Sequence, residues 1–226
     1  MRLEMIVATL RWSGWKECVE SWQLTSDDFF AGRCISGKDV LEAYQQGFEE
    51  SKADILGYCH DDLVITEKGW DTRVLKEFED PTVGVVGFGG SWGHGDPHMY
   101  HKPYENVLLA RRGFMSNMRD AEVNGSRFTG QRDVASLDGF SIFVRREVLE
   151  KAGGWPLDTP VGYFCYDYWI CCMAHRLGYK VRLVGVACDH LNGKSTGLNP
   201  NLKADFTAAH RYIYDNFKDV LPWEVK

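Results

Sequence analysis

Ala53-Asp54-Ile55-Leu56-Gly57-Tyr58-Cys59-His60-Asp61-Asp62-Leu63-Val64-Ile65 joins a short apolar run to an imidazole and two adjacent carboxylates. The unbroken apolar character of Ile55 to Cys59 is that of a strand buried on both faces of a parallel sheet. Such sheets present their chemistry at the C-terminal ends of their strands, where His60, Asp61 and Asp62 fall. Adjacent carboxylates repel one another unless something positive lies beside them. A divalent cation is the usual answer, because hard ions take carboxylate oxygens and bridge them to phosphates. A solvated Asp-Asp turn closing the strand fits the same residues, and only the rest of the chain separates the two readings.

Outward from this strand, helix and strand patterns alternate. Met5 to Leu10 reads as a strand, Trp12 to Trp22 as a short helix and Gly32 to Ser36 as a weakly signalled strand. Lys38 to Lys52 carries Val40, Leu41, Tyr44 and Phe48 at helical spacing. Trp70 to Phe78 is a helix stopped by Asp80-Pro81, and Thr82 to Phe88 an apolar strand. This alternation predicts an α/β fold with parallel strands at its heart. Gly87 to Tyr104 breaks the rhythm with five glycines and with His94, His98 and His101. It reads as a flexible loop over the site with Trp92 and Tyr100 as aromatic rungs. Its histidines could be metal ligands, but the run lacks the helical i, i+4 geometry or the cysteine partners of a persuasive metal site. Regular structure resumes with a strand over Ser136 to Arg146 and a short helix over Glu147 to Ala152. A helix over Phe164 to Leu177, a strand over Tyr179 to Val186 and a final helix over Ala204 to Phe217 follow.

Composition bounds the function. The chain has 226 residues, 44% hydrophobic and 26% charged, which suits one globular domain. We expect that domain to run as a first half over 1–65, a second half over 66–200 containing a loop insertion at 88–135, and a C-terminal helix over 201–226. The net charge of −6 and the absence of a basic cluster longer than a pair argue against nucleic acid as a partner. No stretch reaches the ~18 apolar residues of a membrane helix, and the charged N-terminus reads as a strand rather than a signal peptide. Seven cysteines without a CxxC pair suggest reduced thiols and a cytoplasmic setting. Cys171 and Cys172 fall in a helix and read as core.

Three chemical sites stand out: His60-Asp61-Asp62, Tyr166-Asp167-Tyr168 just inside a helix, and His190 after a strand. With Leu137-Asp138-Gly139-Phe140, Gly153-Gly154-Trp155 and Gly178-Tyr179-Lys180, their order resembles that of the family 2-like glycosyltransferases of the GT-A fold. That family passes from a nucleotide-binding half through an Asp-x-Asp signature to a hydrophobic-Asp-Gly strand. A Gly-Gly-[Phe/Trp] turn, a helix opening on an acid, a Gly-Tyr-[Lys/Arg] turn and often a late His complete its pattern. The resemblance spans roughly residues 4 to 192. It implies a Rossmann-like, mostly parallel sheet flanked by helices, and an enzyme that moves a sugar from a nucleoside diphosphate to an acceptor hydroxyl.

The same resemblance assigns roles. Asp62 matches the metal-binding end of the signature and His190 the late metal-site His, with Mn2+ or Mg2+ as the ion. Asp167 matches the general base of inverting members; its position also suits a carboxylate favoured by the helix dipole. Asp138 and Gly139 match the strand that touches donor sugar or acceptor. Asp61 supports Asp62. His60 stands where the signature's first Asp would be, and fits donor ribose, the metal or the orientation of Asp62. The Asp-Asp-x-Ser turn after the second strand is missing, so nucleotide recognition falls to Thr9 and Arg11, then Ser36 and Lys38. A UDP-sugar is the expected donor, and a glycan, lipid-linked or protein acceptor the expected partner. Trp155 suits either an acceptor sugar or the core. A nucleotidyltransferase of similar fold is the alternative enzyme, although Leu10-Arg11-Trp12-Ser13-Gly14 lacks its Gly-x-Gly-x-Arg loop. A non-catalytic carbohydrate- or nucleotide-binding protein would have little use for both base and metal ligands. A metal phosphohydrolase built on His60-Asp61 lacks the further His and Asp it would need.

Overall fold

A computed structural model of the chain describes all residues except 10–11, 29–30, 37–38, 102–110, 192–201 and 226. Its central sheet has the order β2-β1-β3-β11-β5-β12-β9. These strands are β1 (Leu3–Thr9), β2 (Ala31–Ser36), β3 (Ile55–Cys59), β5 (Val83–Gly87), β9 (Gln131–Asp133), β11 (Ser141–Arg145) and β12 (Lys180–Val184). β1 pairs in parallel with β2 and β3, and β5 with β12. β11 lies between the two parallel groups and is antiparallel to both β3 and β5. The expected parallel heart is present; β11 interrupts it, and β9 adds an antiparallel strand at its edge.

Alternation along the strands loads both faces. Ile6, Leu56, Tyr58 and Val85 belong to one core, and Met5, Val7, Ile55, Cys59 and Val86 to the other. Helices α1 (Trp12–Thr25) and α3 (Trp70–Glu77) cover the second face through Cys18, Trp22, Trp70 and Val74. The first face lies under α2 (Val40–Glu50), α5 (Arg146–Ala152), α6 (Tyr166–Arg176) and α7 (Leu202–Asn216). Asp39 caps α2 by accepting from the Leu41 N–H at 3.0 Å. Gly47 on its buried face allows close packing, because a methyl there would meet Ile6 at 2.5 Å. Cys171 and Cys172 are buried in α6, as expected. Burial pushes the Cys18 and Cys188 thiols up to about 12, so both remain neutral and unreactive. No described helix is long and apolar enough to cross a membrane.

The Gly- and His-rich run differs from its expected form. Gly89–His94 is a strand, β6, buried along nearly its whole length. It pairs with β7 (Arg111–Ser116), β10 (Ser136–Leu137) and β14 (Trp223–Glu224), and β7 pairs in turn with β8 (Ser126–Arg127). The glycines serve close approach rather than mobility: a methyl at Gly89 would meet Phe140 at 2.7 Å, and one at Gly90 the Ser136 carbonyl at 2.8 Å. Trp92 and Tyr100 are packed elsewhere, Trp92 under the Arg112 guanidinium at 4.9 Å and Tyr100 against Tyr214 at 4.7 Å. They are not rungs of a lid.

One buried ion cluster ties α3 to the sheet edge. Arg182 donates to Glu77 and to Asp133, each at 2.6 Å, and the Glu77 side chain is only 4% exposed. Arg182→Met should therefore lower unfolding free energy by about 3 kcal/mol in urea titration, because it strands the Glu77 charge. A loss below about 1 kcal/mol would show that water reaches Glu77 freely.

Candidate active site

Strand β3 ends at Cys59, and His60, Asp61 and Asp62 turn the chain into the short strand β4 (Leu63–Ile65). The antiparallel insertion of β11 makes the site. A parallel neighbour would bring its exit to this edge, whereas β11 brings its entry, with Ser141 opposite Cys59. The turn Asp138-Gly139-Phe140 before β11 is thereby set beside His60, whose backbone N–H donates to the Phe140 carbonyl at 3.1 Å. On the other side β4 pairs with β13 (Cys188–His190), His190 facing Leu63, and the Leu191 N–H donates to the Asp62 carbonyl at 3.0 Å.

Three potential ligands converge as a result. Asp62 Oδ1 lies 3.2 Å from His190 Nε2 and 4.0 Å from His60 Nδ1, and the two ring nitrogens are 3.1 Å apart. One donor atom from each of the three lies within 4.8 Å of the others. Asp62 and His190 thus meet as the sequence led one to expect, and His60 joins them. Burial disfavours the His190 imidazolium, yet the Asp62 hydrogen bond and charge outweigh it and raise its pKa. Burial likewise works against the Asp62 carboxylate, but His190 holds it below its usual range. Burial and the neighbouring His190 charge lower His60. Phe140 stacks on the His190 ring at 5.2 Å.

Asp61 faces away from this group. Its Oδ2 accepts from the Thr9 hydroxyl at 2.5 Å at the C-terminal end of β1, and its carbonyl accepts from the Cys18 thiol at 2.9 Å. Thr9 is paired in register with Ser36, so Thr9, Ser36 and Asp61 share one edge of the sheet. Arg11 and Lys38 lie outside the described residues.

A second cluster stands across the turn. Arg111 of β7 donates to Asp138 Oδ2 at 3.0 Å and lies over the Tyr168 ring at 5.2 Å. Asp138 is held below its usual pKa: burial opposes the charge, and Arg111 outweighs it. Asp167, at the start of α6, goes the other way. Burial raises it to about 6 against the pull of Arg111, and the Asp138 charge adds to the rise. Arg111, Phe114, Asp138, Phe140, His190 and Leu191 line part of a cavity of about 670 Å³. Asp138 and His190 thus face one space, while Asp167, which feels the charges of Arg111 and Asp138, is not among the lining residues. Gly139 contributes its carbonyl, which accepts from the Tyr166 hydroxyl at 2.9 Å. Trp155 is 4% exposed and packs on Tyr58 at 4.9 Å and Trp169 at 5.8 Å, which makes it core and not a sugar platform. His94 is buried against Tyr168 at 4.5 Å and lies outside the metal-ligand group.

Sequence reasoning missed Arg111, visible only as half of a basic pair, and the hydroxyl of Tyr166. Nothing local distinguishes either, since the contact from Arg111 to Asp138 crosses 27 residues and that from Tyr166 to His60 crosses 106.

Residues 33–195, well over half of the chain, match a family described as "Glycosyltransferase like family". No curated protein matches the chain. Among solved structures the chain is similar to A197 from STIV, at 15% identity and TM-score 0.53 over 85% of this chain and 87% of that one. It is also similar to the mannosyltransferase PcManGT from Pyrobaculum calidifontis, solved with GDP-Man and Mn2+, at 17% identity and TM-score 0.59. That match covers 95% of this chain and 65% of the mannosyltransferase. GalNAc-T7, solved with UDP, GalNAc and Mn2+, is similar at 13% identity and TM-score 0.63, over 96% of this chain and 50% of that one. At these identities the likeness is one of fold, the GT-A fold, and the chain spans only part of the length of the latter two.

Proposed function

The chain belongs to this glycosyltransferase-like family, and from that premise we propose that it transfers a sugar from a nucleoside-diphosphate donor to an acceptor hydroxyl, with inversion. The observation that carries the reading is the convergence of His60, Asp62 and His190 beside the cavity that Asp138 also lines. Two imidazoles and a carboxylate fit a divalent transition ion such as Mn2+ better than Mg2+, which favours oxygen ligands. When bound there, such an ion neutralises the charge that develops on the departing diphosphate.

The remaining roles belong to the protein's own groups. Thr9, Ser36 and Asp61, on one edge of the sheet, are suited to the nucleoside. Arg111 keeps Asp138 ionised and oriented toward the donor sugar or acceptor. Asp167 serves as general base, because a carboxyl raised to about 6 is both ionised and usefully basic near neutrality. A second reading makes Asp138 the base, since it lines the cavity and Asp167 does not. Its depressed pKa and its pairing with Arg111 make it the weaker proton acceptor. The nucleotides named for two similar structures, GDP-Man and UDP, support a nucleoside diphosphate as the class, with a UDP-sugar our first choice of donor. The acceptor is a glycan, lipid-linked or protein hydroxyl.

The test is thermal denaturation with UDP, GDP and their sugars, with and without Mn2+. A ligand at about 100 times its dissociation constant adds about 2.7 kcal/mol, which raises the midpoint by roughly 5 °C or more in a chain of this size. A shift that requires both nucleotide and Mn2+ is the expected result. No shift with any nucleoside diphosphate in the presence of Mn2+ would overturn the donor assignment.

A further inference from the structure

The hydroxyl of Tyr166 lies 2.7 Å from His60 Nε2 and 2.9 Å from the Gly139 carbonyl. It has a single proton to give, and a carbonyl can only accept. Directing that proton at His60 would leave two oxygens face to face with no hydrogen between them. The proton therefore goes to Gly139, and the phenol oxygen must accept from His60, so the hydrogen of His60 sits on Nε2. Its Nδ1 is then left with a free lone pair, and Nδ1 is the atom turned toward His190 Nε2 at 3.1 Å and Asp62.

We propose that Tyr166 is a positioning residue: it holds His60 in the Nε2–H tautomer and aims Nδ1 as the third ligand of the metal group. The inference rests on the metal reading of His60, Asp62 and His190. The seat is rigid. Tyr166 is 4% exposed, with Tyr44 edge-on at 5.6 Å and Trp155 at 6.3 Å, and the His60 backbone is tied to Phe140. Gly139 makes the approach possible, since a methyl group there would collide with the Tyr166 hydroxyl. Tyr166 is also the residue before Asp167, so one turn of α6 carries both the ligand lock and the proposed base. Partners that fix a ligating histidine typically contribute 10- to 100-fold in metal affinity.

Tyr166→Phe keeps the ring and its packing and removes only the hydroxyl. We expect Mn2+ affinity, measured by calorimetry or by the EPR signal of free Mn2+ on the full chain, to fall about 10- to 100-fold. Gly139→Ala, which retains the hydroxyl but displaces it, should produce a loss of the same order. Long-range ¹H–¹⁵N correlation spectra of the metal-free wild type should show His60 protonated at Nε2, a readout that needs no variant. Folded Tyr166→Phe with wild-type Mn2+ affinity, or His60 protonated at Nδ1 in the wild type, would overturn the lock alone. Failure of the wild type to bind Mn2+ would overturn the metal reading and the lock with it.

Discussion

Asp167→Asn should lower sugar transfer at least about a hundredfold while raising the thermal midpoint of the protein at pH 7. Both effects follow from one observation. Burial raises the Asp167 carboxyl from 3.8 to about 6, so the folded state resists its ionisation. Between those values the folded protein holds a proton that the unfolded chain has released, and stability falls as pH rises through that window. Above about 6 the ionised carboxylate is carried at a cost of roughly 2 kcal/mol, once its partly exposed edge is allowed for. The neutral amide escapes that cost and gains several degrees, but it cannot accept the acceptor's proton. In the wild type, kcat/KM should rise with pH through about 6 as Asp167 ionises. The position of that acid limb separates the competing assignment. If Asp138 were the base, the acid limb of the wild-type profile would lie below the usual carboxylate range, and Asp167→Asn would retain near wild-type transfer. Loss of activity in Asp167→Asn with no gain in midpoint would instead mean that Asp167 is a structural carboxylate.

Asp62→Ala should abolish Mn2+-dependent binding of a nucleoside diphosphate, a loss of more than the 10- to 100-fold expected for an outer partner. Asp62 is the only anionic member of the ligand group and touches His190 directly, at 3.2 Å. Without it two imidazoles face one another with no charge to offset the cation. Calorimetry with nucleotide, in the presence and absence of Mn2+, checks the result; unchanged metal-dependent affinity would remove Asp62 from the site. The variant has a second signature in stability. Asp62 raises the pKa of His190, so their pairing stabilises the fold fully below the unfolded histidine value of 6.5 and is lost as pH rises through the folded value. Asp62→Ala should therefore destabilise the metal-free protein more at pH 5.5 than at pH 8.

Much of the architecture was legible in the sequence because its signals are local. The apolar run Ile55 to Cys59 is β3 residue for residue, and the helix over Lys38 to Lys52 contains α2. The run over Ser136 to Arg146 was less faithful. It holds two strands, β10 and β11, that belong to different sheets, with Asp138-Gly139-Phe140 as the corner between them. The glycines of β6 misled for a related reason. Gly89 and Gly90 lack side chains because Phe140, Phe114 and the Ser136 carbonyl occupy that space. A single sequence cannot distinguish a glycine that accommodates a neighbour from one that loosens the chain.

His60-Asp61-Asp62 thus marks a strand end and an acidic turn by sequence alone, because strand periodicity and the repulsion of adjacent carboxylates are properties of neighbours in the chain. Which groups answer that turn was decided by tertiary structure. The antiparallel entry of β11 brings Asp138 and Gly139, the β4–β13 pairing brings His190, β7 brings Arg111, and α6 brings Tyr166 and Asp167. The same packing split the roles within the turn, sending Asp61 to Thr9 and turning His60 and Asp62 to His190. Contacts between residues up to 130 positions apart leave no periodic trace, because their energy depends on three-dimensional proximity and burial that only the assembled sheet creates.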